Sequence, residues 1–242
     1  MKLELLDAYN VRARLSPSII LLAPIAITLF LCFEEIRTLA SSSVIIFVLF
    51  AFTNYIPILQ RRINKDKTAF TNYAVQFLDP EDTTLPAEKK RRYCKKLSEL
   101  DDSLSILATP ESTAAYRSCC RSAVSILRSK TRDHRLVQEE NINYGFCKNL
   151  LASKQIGIVF CIACTAFTFF ISLMRHKGIG AIPTENWFAL VANIGFFLFW
   201  IFGINQSMLD DASKHYARTL LAAIDGLEIT KQNDSGLEKA ET

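Results

Sequence analysis

The sequence predicts an all-α membrane protein, with four transmembrane helices in two hairpins and a helical cytosolic domain between them. Three observations predict it. First, four apolar blocks (Pro17–Phe33, Leu39–Leu59, Ile156–Met174 and Trp187–Ile204) run 17, 21, 19 and 18 residues without Asp, Glu, Lys, Arg or His. A helix crossing hydrocarbon needs roughly 17–25 such residues, whereas a helix buried in a soluble protein keeps charge along one side. Second, of 28 Lys and Arg residues, Arg37 alone lies between the first two blocks, and Arg175 and Lys177 between the last two. The N-terminus, the 60–155 segment and the chain after residue 205 hold the rest, so those regions are expected in the cytosol. Third, residues 61–155 contain a single glycine, Gly145, and almost no strand-like alternation, which predicts helices.

The elements follow in order. Residues 1–15, MKLELLDAYNVRARL, are short and amphipathic and are expected along the inner membrane surface. Glu4 and Asp7 beside Lys2, Arg12 and Arg14 make this a poor signal-peptide n-region. The first hairpin occupies 16–60 and ends at Gln60-Arg61-Arg62, an inner-face anchor. The basic helical cytosolic domain occupies 61–155. Pro80 and Pro86 bracket a loop, DPEDTTLP, and a helix from near Pro86 is expected to reach about Leu107. Thr109-Pro110-Glu111 reads as N-cap, first-turn proline and dipole-matching acid of the next helix, to about Lys130. A further helix from about Asp133 leads to the third span, with Ile142, Phe146 and Leu150 repeating on one face that should pack on protein or bilayer. The second hairpin occupies 156–205. Ser207 with Asp210 resembles a capping box opening a C-terminal helix over 206–229. In that helix Leu209, Tyr216, Leu220, Ala223 and Leu227 fall at heptad spacing, with Ser213 in the remaining seam position. The tail 230–242 is polar and expected to be disordered.

No catalytic constellation is recognisable, so the expectation is a protein that is not an enzyme and has no cofactor or metal. His134, His176 and His215 lie in separate regions, and no GxGxxG, GKS/T, HExxH or GxSxG pattern occurs. Cys161-x-x-Cys164 has a redox or zinc spacing, but it lies mid-span without a second ligand pair, and packing explains it better. The spans hold no carboxylate or histidine, which argues against proton-coupled transport.

The polar residues of the second hairpin are arranged. Cys161, Thr165, Thr168 and Ser172 lie within a stripe of roughly 60° on the third span, and Asn186, Asn193 and Trp200 within about 40° on the fourth. Two readings stay open: hydrogen bonds between helices, or a water-filled path. On the second, Thr165, Thr168, Ser172, Asn186 and Asn193 line a pore.

The 60–155 segment carries 18 Lys/Arg against 12 Asp/Glu, concentrated in EKKRRYCKK. On a helix Lys89, Arg92 and Lys96 share a face, and in the next helix Arg117, Arg121 and Arg128 fall together. These six are the candidate ligand-binding residues, because guanidinium and ammonium groups in a groove match the phosphates of a nucleotide or oligonucleotide. Attraction to anionic headgroups, or simple solvation, is the competing account.

Two transmembrane hairpins, a basic all-helical cytosolic insertion and the stretch NYGFCKNLLASKQIG before the third span resemble the membrane effectors of bacterial nucleotidyltransferase-based anti-phage systems, the Hailong type nearest among them. The resemblance implies a homo-oligomeric channel in the bacterial inner (cytoplasmic) membrane. It would be gated by a nucleotide or DNA-oligomer signal and would work with a cytosolic partner enzyme. The alternative is a non-conducting membrane scaffold that docks a cytosolic partner.

Overall fold

The computed structural model describes residues 9–37, 72–109, 113–175 and 182–227, and among these every regular element is helical, with no strand. The chain divides into two compact units, one from residues 1–69 with 141–212, the other from 70–140 with 213–242. Among the described residues, three helical stretches are long and apolar enough to cross a membrane: Val11–Cys32, Arg135–Arg175 and Thr184–Gly203. They contain the first, third and fourth predicted spans. The second, Leu39–Leu59, and with it the closure of the first hairpin, lies outside the described residues, as do the amphipathic segment up to residue 8 and the 230–242 tail.

In the first unit, α1 (Ser16–Cys32) follows a π-helical turn, Asn10–Leu15. Proline explains part of this entry. Pro17 has no N–H to offer the carbonyl of Ala13 in α-helical register. The Asn149 amide bonds that carbonyl instead, at 2.6 Å. Ser16 and Ser18 hydroxyls donate back to the carbonyls of Val11 and Arg14. Gly145 lies against this segment, where a Cβ would sit 3.0 Å from that of Ala13.

The longest helix, α5 (Arg135–Arg175), runs 41 residues without a break, about 60 Å at 1.5 Å per residue. Ile142 and Leu150 are buried, and Phe146 packs against the cluster that holds Leu150. The face expected to pack on protein or bilayer therefore packs on protein. The loop after α5 is outside the description from 176 to 181, and α6 (Thr184–Leu198) begins behind Pro183. It ends in a π-helical segment, Phe199–Gly203, in which Trp200 is wholly buried. Helix ends leave carbonyls without donors. Here Lys154 of α5 donates to those of Ile201 and Ile204. The core joins Leu21 and Leu22 of α1, Leu150 and Cys161 of α5, and Trp200 and Ile204. The outward side is apolar too: Phe170, Phe188, Val191 and Phe202 are 63–73% exposed. So large a bare apolar surface fits lipid rather than water.

In the second unit, α2 (Tyr73–Leu78), α3 (Ala87–Ser98), a 3-10 helix (Asp102–Ala108) and α4 (Ala114–Lys130) surround Phe77, Leu78, Tyr93, Leu97, Leu104, Leu107, Tyr116 and Leu127. The helix from Pro86 stops at Ser98 rather than near Leu107. Leu104 and Leu107, three apart and both buried, suit the threefold repeat of the 3-10 turn that follows. Asp101 caps that turn, its carboxylate accepting from Ser103 N at 2.9 Å. Hydrogen bonds from the Ser103 hydroxyl and then from its backbone N–H hold the Asp101 carboxyl below its ordinary pKa. Thr113, not Thr109, caps α4, accepting from Tyr116 N at 3.2 Å. The C-terminal helix α7 (Gln206–Ala222) begins in the first unit, where Asn205 caps it, its Oδ1 accepting from Met208 N at 2.9 Å. Ser207 lies inside the helix instead, and Asp210 bonds Gln206.

Candidate functional site

Two arrangements could carry function, one in each unit. In the first unit the neutral polar side chains of the spans meet. Asn193 of α6 is wholly buried, and its amide donates to Thr28 Oγ1 of α1 at 2.8 Å. One helical turn pair away, the Asn186 amide donates to Ser172 Oγ of α5 at 2.8 Å. The Ser172 hydroxyl itself donates to the Thr168 carbonyl at 2.6 Å, and the Cys32 thiol contacts Thr168 Oγ1 at 3.9 Å. Arg175 closes the end of this row: it donates to the Cys32 carbonyl and covers the Phe33 ring at 5.0 Å. Of the predicted stripe, Thr168, Ser172, Asn186 and Asn193 are thus brought together and buried, while Thr165 is half-buried. Thr28 was missed, although it is a lone hydroxyl mid-way along an apolar span. One atom of the row has no partner among the described residues: Asn193 Oδ1 is buried and receives no hydrogen bond from them.

In the second unit the six cations selected from sequence meet different partners. Lys89, Arg92 and Lys96 share a face of α3. Arg92 and Lys96 both grip Asp225, at 2.6 and 3.1 Å, and Lys89 and Arg92 lie over Tyr93. On α4, Arg117 pairs with Asp79 at 2.8 Å, Arg128 lies over the Tyr216 ring at 5.6 Å, and Arg121 is exposed. Exposed pairs of this kind contribute about 0–1 kcal/mol, so an incoming polyanion could displace them at small cost.

A cleft of about 990 Å³ opens on the other side of α3, between the DPEDTTLP loop, the 3-10 helix and the start of α4. Pro80, Leu85, Pro86, Leu107 and Tyr116 give it apolar walls, and Lys90, Arg91 and Lys95 give it positive charge. Lys90 is buried, and its amine donates to the carbonyls of Asp79 and Asp82, fastening the loop to α3. Behind the cleft, Tyr116 Oη donates to the Leu78 carbonyl at 3.2 Å and touches Cys94 Sγ at 3.3 Å. Burial raises the thiols of Cys94 and Cys119, and pushes Cys120 up to about 12. Thiols so held are protonated and poor nucleophiles at neutral pH. Among the described residues no three His, Cys, Asp or Glu side chains gather as a metal site.

No family model matches the chain, and no curated protein or solved structure is significantly similar to it. The site must therefore be read from its own chemistry.

Proposed function

We propose that the protein is an oligomeric pore of the bacterial inner membrane, gated by an anionic ligand of the nucleotide or oligonucleotide class that acts on the second unit. The finer topology belongs to this reading: four spans, both ends in the cytosol, and the second unit facing the cytosol with the bulk of the Lys and Arg residues. So does the physiological role, arrest of the cell as an anti-phage effector beside a signal-producing enzyme. The observation that carries the proposal is the row of neutral polar side chains in the first unit, with the Asn193 amide oxygen buried and without a donor among the described residues. Water or a neighbouring chain would supply the missing hydrogen bond, and either fits a wetted assembly of several chains. Three or four lean apolar helices cannot enclose a hydrated path alone, so copies must surround it.

A second reading has its own support. Within one chain the row is closed by hydrogen bonds to Thr28 and Ser172, as a purely structural, non-conducting scaffold would require.

Recordings from purified protein in planar bilayers separate the two. The pore predicts discrete unitary currents, and Asn193→Leu is expected to abolish them while oligomers persist, because an apolar constriction dewets. Silent bilayers from intact wild-type oligomers across a panel of nucleotides and oligonucleotides would leave the scaffold standing. Unchanged unitary currents from Asn193→Leu would remove Asn193 from the path.

A further inference from the structure

The cations that best suit a ligand are not those on the exposed faces chosen from sequence. Arg91 and Lys95 sit one turn apart on α3, both lining the cleft, and neither has a carboxylate partner among the described residues. The other charges of the cleft are occupied. Lys90 is held by two loop carbonyls. Asp82 has its carboxylate engaged by Thr84 N at 2.8 Å and Gln76 Nε2 at 3.2 Å. Two loop turns, in which Asp79 accepts from Glu81 N and Asp82 from Thr84 N, fix the wall opposite α3.

We propose that this cleft is the ligand site, and that it takes a phosphate-bearing molecule with a flat apolar body, of the nucleotide class; the proposal rests on the reading that an anion acts on this unit. Arg91 and Lys95 hold the phosphate, where a planar guanidinium fork matches two oxygens and the ammonium adds a point charge. Leu85, Pro86, Leu107 and Tyr116 receive the flat body. The volume lies at the upper end for small-molecule pockets, enough for a base, a sugar and phosphates together. A phospholipid headgroup shares the phosphate but would bring no flat ring to the apolar walls.

The test uses the full chain in phosphatidylcholine nanodiscs, titrated with TNP-ATP, which joins a broad ring system to phosphates, and chased with ATP. Saturable fluorescence that ATP reverses is expected. Arg91→Gln with Lys95→Gln should weaken binding at least about tenfold. Ala108→Phe, which fills the cleft without changing charge, should do the same with unchanged circular dichroism. Arg132→Gln, which removes an exposed cation that does not line the cleft, should stay within about twofold. Absence of saturable binding overturns the site. So does an Arg132→Gln loss equal to that of the double variant, which would mean unspecific attraction, and so does a folded Ala108→Phe protein that binds normally. If phosphatidylglycerol in the disc displaces the probe and ATP does not, the nucleotide assignment falls to a lipid one. The pore is judged separately. Binding with silent bilayers keeps the cleft and removes the pore, and anion-gated currents that survive in the double variant do the reverse.

Discussion

Gly157 lies in α5 where α6 passes, and alanine there should be among the most damaging conservative changes in the first unit. A Cβ at this position would stand 2.3, 2.6 and 2.7 Å from three indole atoms of Trp200. Carbon atoms rest about 3.5–4.0 Å apart, so the ring or the helix must retreat by about 1.2 Å or more. The indole has little room to do so, being wholly buried in the cluster of Leu21, Leu22, Leu150 and Cys161. Overpacking of a dense core costs about 1–3 kcal/mol. The better helix propensity of alanine returns at most about 1 kcal/mol, leaving a net loss of roughly 0–2 kcal/mol with the upper half expected for so rigid a neighbour. Trp200→Phe narrows the clashing ring system and removes Nε1, the atom at 2.7 Å, together with an indole N–H that is buried without a partner among the described residues. The double variant should therefore recover most of the loss, with a coupling of about 1 kcal/mol or more. Reversible unfolding in mixed micelles, followed by far-ultraviolet circular dichroism, measures all four corners of the cycle. Coupling no larger than the roughly 0.3–0.5 kcal/mol seen for independent sites would refute the close approach of α5 and α6 at Gly157.

Three further outcomes are expected. In a cycle of Thr28→Val and Asn193→Leu, the buried bond between α1 and α6 should appear as a coupling of about 0.6 kcal/mol, up to about 1.7, in the same micelle assay; additive losses would detach the two side chains. Lys90→Met should destabilise the second unit by about 1–3 kcal/mol in thermal melts, because two loop carbonyls lose their donor, and a melt unchanged by the substitution would make the clamp ornamental. Alkaline pH should loosen the second unit: a thiol near its ordinary pKa of about 8.5 in the unfolded chain but raised to about 12 at Cys120 in the fold binds fewer protons when unfolded. The stability it adds is whole below about pH 8.5 and falls as pH rises towards 12. Melts of Cys120→Ala, compared with wild type from pH 7 to pH 10, should show a shallower alkaline decline, and parallel curves would place the cause elsewhere.

Three of the spans were legible because composition alone decides them: no surface of a soluble protein hides so long a run without charge. The burial of Asn193 was legible for the same reason, since an amide facing lipid leaves its donors unmet. Its partner was not. Thr28 is 165 residues away, and a span's periodicity fixes which side chains share a face but not how far each helix is rotated towards its neighbours. The basic stripes show the same limit. Spacing put Lys89, Arg92 and Lys96 on one side of α3, yet the carboxylate that holds two of them, Asp225, is 129 residues from Lys96. Lys90 in the same run turns inward because loop carbonyls, which carry no side-chain signature, meet its amine. The capping errors are local. Ser207–Asp210 and Thr109-Pro110-Glu111 offered plausible capping chemistry, but Asn205 and Thr113 reach the first free amides, and capping residues compete with one another over two or four positions on geometry that composition does not contain.

Energies bear on whether the polar row in the first unit serves adhesion or passage. Each neutral hydrogen bond between membrane helices is worth about 0.6 kcal/mol on average. Asn193–Thr28 and Asn186–Ser172 together therefore hold the helices by little more than about 1 kcal/mol. Against this stands Asn193 Oδ1, buried without a donor among the described residues, for which the cost is about 1–3 kcal/mol. Taken over the described residues of one chain, the row is close to neutral or unfavourable, and leucine and valine of similar volume would pack these helices as well or better. Adhesion alone is thus a weak reason for the residues to be polar. A donor from outside the chain reverses the balance: a water or a neighbour's side chain reaching Oδ1 would recover the orphan cost once per copy. The same amide that weakens one chain would then favour the assembly, and it would do so at a single depth in the bilayer, where a ring of such groups is what an ion stripped of part of its water needs to meet.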